Sequence, residues 1–454
     1  MEMITTAYAH QAKMAKYGDD HELILNTSDP GTGKTLGTLM SYQKRFARGA
    51  AGRCLVIAPL SILRASWADD IERFTSLTYA IATQPDKNRH SAFNDQQTNI
   101  VLINHDGVKW LEKNLSYLDG FTDLVIDEFT AFKNRTSARS KSMLKVSLNF
   151  EHRTLLSGTP IPNTVLDMWH PMMILDRGTR LGNKYFQFRS QVCTPEAIGY
   201  QDHVKWVDKP GAPAAVADAL ADVNIRFKFE DCVDIPPNSI HMMLVDMPKK
   251  VLDAYAEMEQ DSTLRDKNGG LLLSAIHAGA RTKKMLQILS GTVYDANGKA
   301  VPVHNDRYEL VMQLVSEREH SLVAFNWKHE REALSKLAEK YKFSYAFIDG
   351  SVSTAKRAQA VKDFQEGNIK VLFCHPQAAA HGLTLTKAAT TIWCTPTYSS
   401  EQFQQFNRRI YRIGQTVKTE TICIAARATK EVDVYHLLNE KISRSDELLD
   451  ILVA

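Results

Sequence analysis

Cysteine is scarce. There are six in 454 residues, Cys54, Cys193, Cys232, Cys374, Cys394 and Cys423, none spaced as CxxC and none beside a histidine cluster. Scattered thiols of this kind argue against a zinc site or a disulfide framework and fit a reducing compartment. Long hydrophobic runs are lacking too. No apolar stretch approaches the ~20 residues of a membrane-spanning helix, and the N-terminus has no apolar signal core. The expectation is a cytoplasmic protein with no membrane partner. No repeat or low-complexity tract stands out, and strong net charge is absent: 55 Lys+Arg against 52 Asp+Glu leave +3. Such a balance neither demands nor excludes nucleic acid, because a basic groove can be offset by acid elsewhere.

The chain is too long for a single core, which predicts two or more domains. Its 44% hydrophobic and 24% charged content is that of an ordinary globular protein. Short apolar runs recur: RCLVIAP (53–59), NIVLINH (99–105), DLVIDE (123–128) and RTLLSGT (153–159). Between them lie amphipathic stretches such as SILRASWADDIERF (61–74). Continuous apolar strands alternating with helices predict a parallel sheet covered on both faces. The pattern stops near Asn163 and returns at SLVAFN (321–326), YAFIDG (345–350), KVLFCHP (370–376), TTIWCTP (390–396) and ETICIAA (420–426). The fold class is therefore α/β, with two parallel-sheet lobes and mainly helical insertions between them. The prolines of IPP (235–237) cannot continue a helix and set the boundary. Residues 1–235 form the first lobe, with a helical insertion over about 164–235, and residues 236–454 the second, opening with a helical segment over about 240–290. Trp67, Trp169, Trp327 and Trp393 sit in or beside apolar runs and read as core.

Three motifs carry chemistry. SDPGTGKT (28–35) follows a strand and opens a helix near Gly33. Its glycines, Gly31 and Gly33, let the amides of Asp29 to Gly33, Thr32 included, curl around an anion at a helix N-terminus. Lys34 would reach the β- and γ-phosphates and Thr35 would bind magnesium. Ser28 stands where the strict pattern wants glycine. VIDE (125–128) ends an apolar strand of the same lobe, with Asp127 placed to hold magnesium and Glu128 to polarise water. A GKT turn or a strand ending in acids occurs in ordinary structure, but the two together in one lobe predict a nucleoside triphosphatase. The third motif is QFNRRIYRIGQ (405–415), in which Arg409 and Arg412 stand three apart. On a helix they would share a face and, as arginine fingers, would neutralise the transition-state charge of a nucleotide held between the lobes.

With these residues in view, the chain resembles a Swi/Snf-type superfamily-two helicase, and is most similar to the compact bacteriophage versions. The likeness runs nearly end to end. Gln11 in AHQAKMAKYG stands at the family's adenine-reading glutamine; VIAPLSILRASW (56–67) and INHD (103–106) follow in order. IDEFTAFKN (126–134) replaces the last two residues of a DEAH-like box with Phe129 and Thr130. SGTPIPN (157–163), with Ser157 and Thr159, resembles the coupling motif, and LDMWHPMMILDRGTRLGNKYFQF (166–188) a phage-type segment. VAFNWKHERE (323–332), IDGSVSTAKRAQAVKDF (348–364) and HPQAAAHGLTLT (375–386) precede the arginine motif, headed by Gln405. Ala379 and Ala380 stand where the family often has paired glycines, while Gly382 is kept as a nucleotide-site residue. If that backbone needed φ > 0, the alanines would carry strain.

The resemblance implies that the two parallel-sheet lobes are RecA-like, and an ATP- and magnesium-dependent motor on DNA, tracking duplex rather than wedging strands apart, with fork or junction remodelling as its task. It also implies phage or host replication and recombination proteins as partners, and the host cytoplasm if phage-encoded. No nuclease constellation, zinc ribbon or histone-reading domain is visible. For DNA contacts, Lys133, Arg135, Arg139, Lys141 and Lys145 lie in KNRTSARSKSMLK (133–145) without an acid among them. Phosphate contacts use such mixtures of basic and hydroxyl side chains, though a solvated helix face reads the same way. In DRGTRLGNKYFQFR (176–189), Arg177, Arg180, Lys184 and Arg189 interleave with Tyr185, Phe186 and Phe188. That pattern suits base stacking or ordinary packing of aromatics. A third candidate is Arg281, Lys283 and Lys284. Two other readings stay open at this level: an RNA helicase, and an ATP-gated nucleic-acid-binding switch.

Overall fold

The computed structural model describes residues 7–161, 164–197, 204–261, 263–265, 271–274, 278–294, 299–379 and 383–451. The chain divides into two compact units: one runs to Asp234 and takes in the chain from Lys441 onward, and the other is Ile235–Glu440.

The first unit is built on seven parallel strands: β1 (Leu23–Asn26), β2 (Arg53–Ala58), β3 (Tyr79–Ala82), β4 (Ile100–Asn104), β5 (Phe121–Asp127), β6 (His152–Leu156) and β7 (Asn224–Ile225). Their spatial order is β3-β4-β2-β5-β6-β1-β7. All six positions of β2 are buried. A parallel strand between two helical layers has no solvent face, so its sequence is apolar throughout rather than alternating. Leu55 and Ile57 pack into the core on one side of the sheet, and Cys54, Val56 and Ala58 into the core on the other.

Three neighbouring strands end at one level. Asp127 of β5 pairs with Leu156 of β6, and Leu156 pairs with Asn26 of β1. The loops that leave β1, β5 and β6 therefore start side by side, at the carboxyl edge where open α/β sheets gather ligands. Two helices frame the first loop, α1 (Ala9–Asp20) and α2 (Lys34–Ala47). They approach so closely that a Cβ on Gly18 would lie 2.7 Å from Ser41 Oγ, and one on Gly37 2.8 Å from Met14 Cβ. Beyond β6 come α3 (Trp169–Asp176), α4 (Tyr185–Val192) and a helix over Ala212–Leu220, with a hairpin between Cys193–Ala197 and Val204–Asp208. The chain then returns as β7 beside β1.

The second unit has six parallel strands: β8 (Asn238–Val245), β9 (Ser321–Ala324), β10 (Tyr345–Ile348), β11 (Val371–Cys374), β12 (Thr390–Trp393) and β13 (Thr419–Ala426). They lie in the order β8-β13-β12-β9-β11-β10. The helical segment expected over about 240–290 starts only at Lys249. Residues 238–245 form β8 instead, because β13 offers an edge along which all eight residues pair. Two helices, α5 (Asp306–Ser316) and α6 (Lys430–Ile451, of this unit as far as Glu440), meet through a wholly buried ion pair, with Arg307 Nη2 2.6 Å from Glu431 Oε2. Arg307 also donates to the Cys394 carbonyl at 2.6 Å, and Glu431 accepts the Ala426 amide at 2.8 Å. The pair thus ties both helices to the ends of β12 and β13.

Arg307→Ala would leave Glu431 an unpaired buried charge, and is expected to destabilise the second unit by about 3–5 kcal/mol. The double replacement Arg307→Met with Glu431→Leu should cost far less, and chemical denaturation of the two variants measures the difference.

Candidate functional site

The loop after β1 is braced from several sides. Asn26 Oδ1 accepts the Ser28 amide at 3.1 Å, and the amides of Thr27 and Asp29 donate to the carbonyls of Ile225 and Phe227, each at 3.0 Å. Ser28 is wholly buried, and its hydroxyl accepts the Phe227 amide at 3.0 Å. This contact accounts for a serine where the strict pattern has glycine. The Asp29 carboxylate turns to Arg226 at 3.0 Å and to the Phe229 amide at 3.1 Å, so its side chain braces the loop. Gly31 and Gly33 adopt φ of 90° and 81°, the left-handed region that glycine enters without penalty. A Cβ on Gly33 would meet Gln11 Nε2 at 2.2 Å. Gln11 itself reaches the Thr32 carbonyl at 3.5 Å and accepts the Tyr8 amide at 3.1 Å. Sequence reasoning passed over His10, whose Nε2 donates to the same Thr32 carbonyl at 2.7 Å and whose ring stacks on Tyr8 at 5.8 Å.

Gly33 caps α2 with no side chain on the first amides. An uncapped N-terminus leaves donors and a positive dipole facing the loop. Lys34 folds over that opening, its ammonium donating to the Ser28 carbonyl at 2.7 Å and the Asp29 carbonyl at 3.1 Å. Burial pulls its pKa below the usual lysine value, opposed by the charges of Glu128, Asp127 and Asp29. Thr35 follows, half-buried, on the first turn of the helix.

Two carboxylates come from the end of β5. Asp127 is buried, and burial together with Glu128 raises its pKa to about 6, against the opposing pull of a Trp67 hydrogen bond, Lys34 and the Glu128 amide. Trp67 Nε1 donates to Asp127 Oδ2 at 2.9 Å, and the Glu128 amide to Oδ1 at 3.0 Å. Trp67 is fully buried, as a core residue should be, yet it sits on a π-helical segment, Leu63–Ala68, that also delivers its N–H to the carboxylate. His105, in the stretch INHD, donates from Nε2 to the Asp127 carbonyl at 2.8 Å. Glu128 has φ of 50°, a left-handed backbone that is costly for a residue with a side chain. The Ser157 hydroxyl, at the end of β6, donates to Glu128 Oε2 at 3.1 Å and accepts the Thr159 amide at 3.2 Å. A Cβ on Gly158 would lie 2.5 Å from Pro30 Cδ, so this third loop lies directly on the first.

In the second unit the helix expected to carry the paired arginines, Ser400–Asn407, stops short of both. Gln415 Nε2 takes the carbonyls of Thr386, Ala388 and Ile410 at 3.2, 3.0 and 3.1 Å, drawing the chain into turns instead. Arg409 and Arg412 still converge, donating to the Leu383 carbonyl at 3.1 and 2.9 Å. Gln405 is buried and bonds Glu401 at 3.4 Å. Ala379 ends a short helix without a positive φ, so the strain considered there does not arise at that residue. Ala380 and Gly382 lie outside the described residues.

The candidate DNA contacts sort by their partners. Lys133 pairs with Asp167 at 3.4 Å, Arg139 with Asp106 at 2.6 Å, and Lys145 with Glu112 at 2.5 Å. Arg180 bridges Asp176 at 3.1 Å and Asp222 at 2.5 Å. Lys141 and Lys184 are exposed. Arg135 instead lies over the rings of Tyr185 and Phe186.

The sequence profile of the SNF2-related domain matches residues 13–294, and that of the helicase conserved C-terminal domain residues 306–414. The chain is 28% identical over 422 residues to protein p41 of Acyrthosiphon pisum secondary endosymbiont phage 1, covering 90% of this chain and 87% of that protein. It is 24% identical over 428 residues to the Homo sapiens DNA annealing helicase and endonuclease ZRANB3, and 24% identical over 451 residues to the Danio rerio chromodomain-helicase-DNA-binding protein 1-like. Those matches cover 90% and 92% of this chain but only 37% and 41% of the two animal proteins. The Sulfolobus solfataricus SWI2/SNF2 ATPase core in complex with dsDNA aligns over 98% of this chain and 93% of that chain, at 19% identity and a TM-score of 0.44.

The geometry around Asp127 makes a direct prediction. Its carboxyl, followed by NMR in metal-free protein, should titrate near pH 6 and at higher pH in Trp67→Phe, which loses a donor favouring the charged form. Because the folded pKa lies above the ordinary one, this group's contribution to stability is full at low pH and is lost as pH rises through about 6. A midpoint at the ordinary carboxylate value would contradict the described environment.

Proposed function

The chain belongs to the SNF2-related family, a group of helicase-like ATPases, and on that premise we propose that it is an ATP-driven DNA translocase working on duplex or branched DNA, with fork or junction remodelling in replication, recombination or repair as its task. The observation that carries the proposal is the convergence of Lys34, Asp127 and Glu128 at the carboxyl ends of neighbouring strands, beside an uncapped helix start.

The donor set suits a magnesium nucleotide. The loop amides of Gly31, Thr32 and Gly33 and the start of α2 would take the phosphates. Lys34 would exchange its two carbonyl partners for phosphate oxygens, which restores its charge in a dehydrated place. Thr35 and Asp127 offer hard oxygen ligands for magnesium, which when bound supplies positive charge to the phosphate oxygens. Gln11, held against the loop, would read the adenine edge. Glu128 is fixed by its own backbone and by Ser157, and would orient a water and accept its proton. Ser157 also bonds the Thr159 amide, so a shift of the Glu128 carboxylate is felt along that loop; this is the proposed coupling step, with Gln405 in the arginine motif as its counterpart. Arg409 and Arg412, already aimed at one carbonyl, would supply positive charge to the γ-phosphoryl group as it transfers. Of the cations suggested for DNA, Lys141 and Lys184 form no ion pair among the described residues and would meet phosphates directly. Lys133, Arg139 and Arg180 would first have to leave their carboxylates.

The test is ATP hydrolysis by the purified protein, alone and with single-stranded DNA, linear duplex, a four-way junction and RNA. Stimulation by duplex and most strongly by the junction is expected, with Lys34→Ala slower by at least about a hundredfold. Stimulation by RNA alone would replace the substrate, and none by any nucleic acid would favour an ATP-gated switch.

A further inference from the structure

We infer that the first unit carries a stacking platform for an unpaired DNA base, made of Phe186 and Tyr185 beside the guanidiniums of Arg135 and Arg189; this deepens, and rests on, the DNA-directed reading above. Arg135 lies 4.3 Å from the Tyr185 ring centroid and 5.0 Å from that of Phe186. Arg189 lies 5.0 Å from Phe186, 5.9 Å from Tyr185 and 3.8 Å from Trp206 of the hairpin. Tyr185 meets Phe186 edge-on at 5.6 Å, and is anchored from below by Trp169 at 5.3 Å. Trp169 is itself fixed, its indole N–H donating to the Gly182 carbonyl at 3.0 Å.

Packing explains part of this stretch and leaves one residue over. Phe188 is only 4% exposed and belongs to the core, whereas Phe186 is 61% exposed. A phenyl ring this exposed, with two guanidiniums each 5.0 Å from its centroid, keeps apolar ring surface in water with positive charge beside it. The ion pairs sharpen the point. Lys133, Arg139 and Arg180 are neutralised by carboxylates, while among the described residues no ion pair engages Arg135 or Arg189, and Arg189 Nε is buried without a hydrogen-bond partner. A guanidinium lying on a ring keeps N–H donors on its rim for phosphate. Exposed Lys184 and Lys205 flank the platform.

The matching chemistry is a flat π-system joined to a phosphodiester. Bases inside a duplex present only their edges, so a ring of this kind takes a base that is already unpaired, as on the single-stranded arm of a fork. The platform is close in sequence to the hydrolytic carboxylates: Arg135 follows Glu128 by seven residues (135 − 128), across the turn Phe129–Phe132. An unpaired strand bound there bears on the same loop that carries Glu128.

The experiment measures fluorescence anisotropy of the full chain with labelled single-stranded DNA, a fork with single-stranded arms and a blunt duplex, for wild type, Phe186→Ala and Phe186→Trp. A second readout places 2-aminopurine in the single-stranded arm. Phe186→Ala is expected to weaken binding to single strands and forks about tenfold and to blunt duplex less than about twofold, with Phe186→Trp restoring affinity. The 2-aminopurine fluorescence should be quenched by wild type and not by Phe186→Ala. Equal affinities of Phe186→Ala and wild type for every DNA, or an equal loss on all of them, would overturn the platform while leaving the DNA-directed reading intact. A wild-type protein that binds none of the three DNAs would overturn both.

Discussion

Three parallel strands that end at the same level, β5, β6 and β1, are the constraint on which the rest of the first unit depends. Their register places Asp127, Leu156 and Asn26 side by side, and the residues that follow each strand have to share one small space. Parallel pairing fixes direction and level together, so loops more than a hundred residues apart in sequence become neighbours. Gly33 and Gly158 are positions where that crowding allows no side chain, since an added Cβ would strike Gln11 or Pro30, while Gly31 answers to its φ of 90°. The short return strand β7 completes the arrangement from the other side, with the chain from Ile225 to Phe229 holding Thr27, Ser28 and Asp29 in place.

Electrostatics follow from that packing. A lysine and an aspartate are both dehydrated here, and each moves toward its neutral form as a result, Lys34 downward and Asp127 upward. Their mutual attraction opposes the shift without cancelling it. Such a site is poorly satisfied in itself and gains from a ligand bearing oxygens of negative charge and a divalent cation. The left-handed backbone of Glu128 belongs to the same picture, a local cost borne where a carboxylate must point in one direction.

Much of this was legible from the chain alone. Continuous apolar runs marked the strands because buried parallel strands have no polar face. The glycines and lysine of GTGKT, and the acids of VIDE, marked the loops because few residues can do those jobs at those spacings. What could not be read was whatever depends on a distant partner. Trp67 looked like core and is core, but its donation to Asp127 spans 60 residues of sequence. Arg226 and the amides of Phe227 and Phe229 brace the first loop from nearly 200 residues away. The basic runs gave no hint that Asp106, Asp167 and Asp222 would neutralise several of their members. The helix through QFNRRIYRIGQ ended early because Gln415 folds back on three carbonyls, which no local periodicity encodes.

The most direct measurement is single-turnover hydrolysis of saturating ATP by Glu128→Gln beside wild type, with nucleotide affinity determined on the same preparations. Glutamine keeps the shape and an oxygen for Ser157 but cannot accept a proton. ATP bound with near wild-type affinity and hydrolysed at least about a hundredfold more slowly is the expected result. Hydrolysis within a fewfold of wild type would contradict the assignment of Glu128 and, with it, the reading of this strand-end cluster as the hydrolytic site.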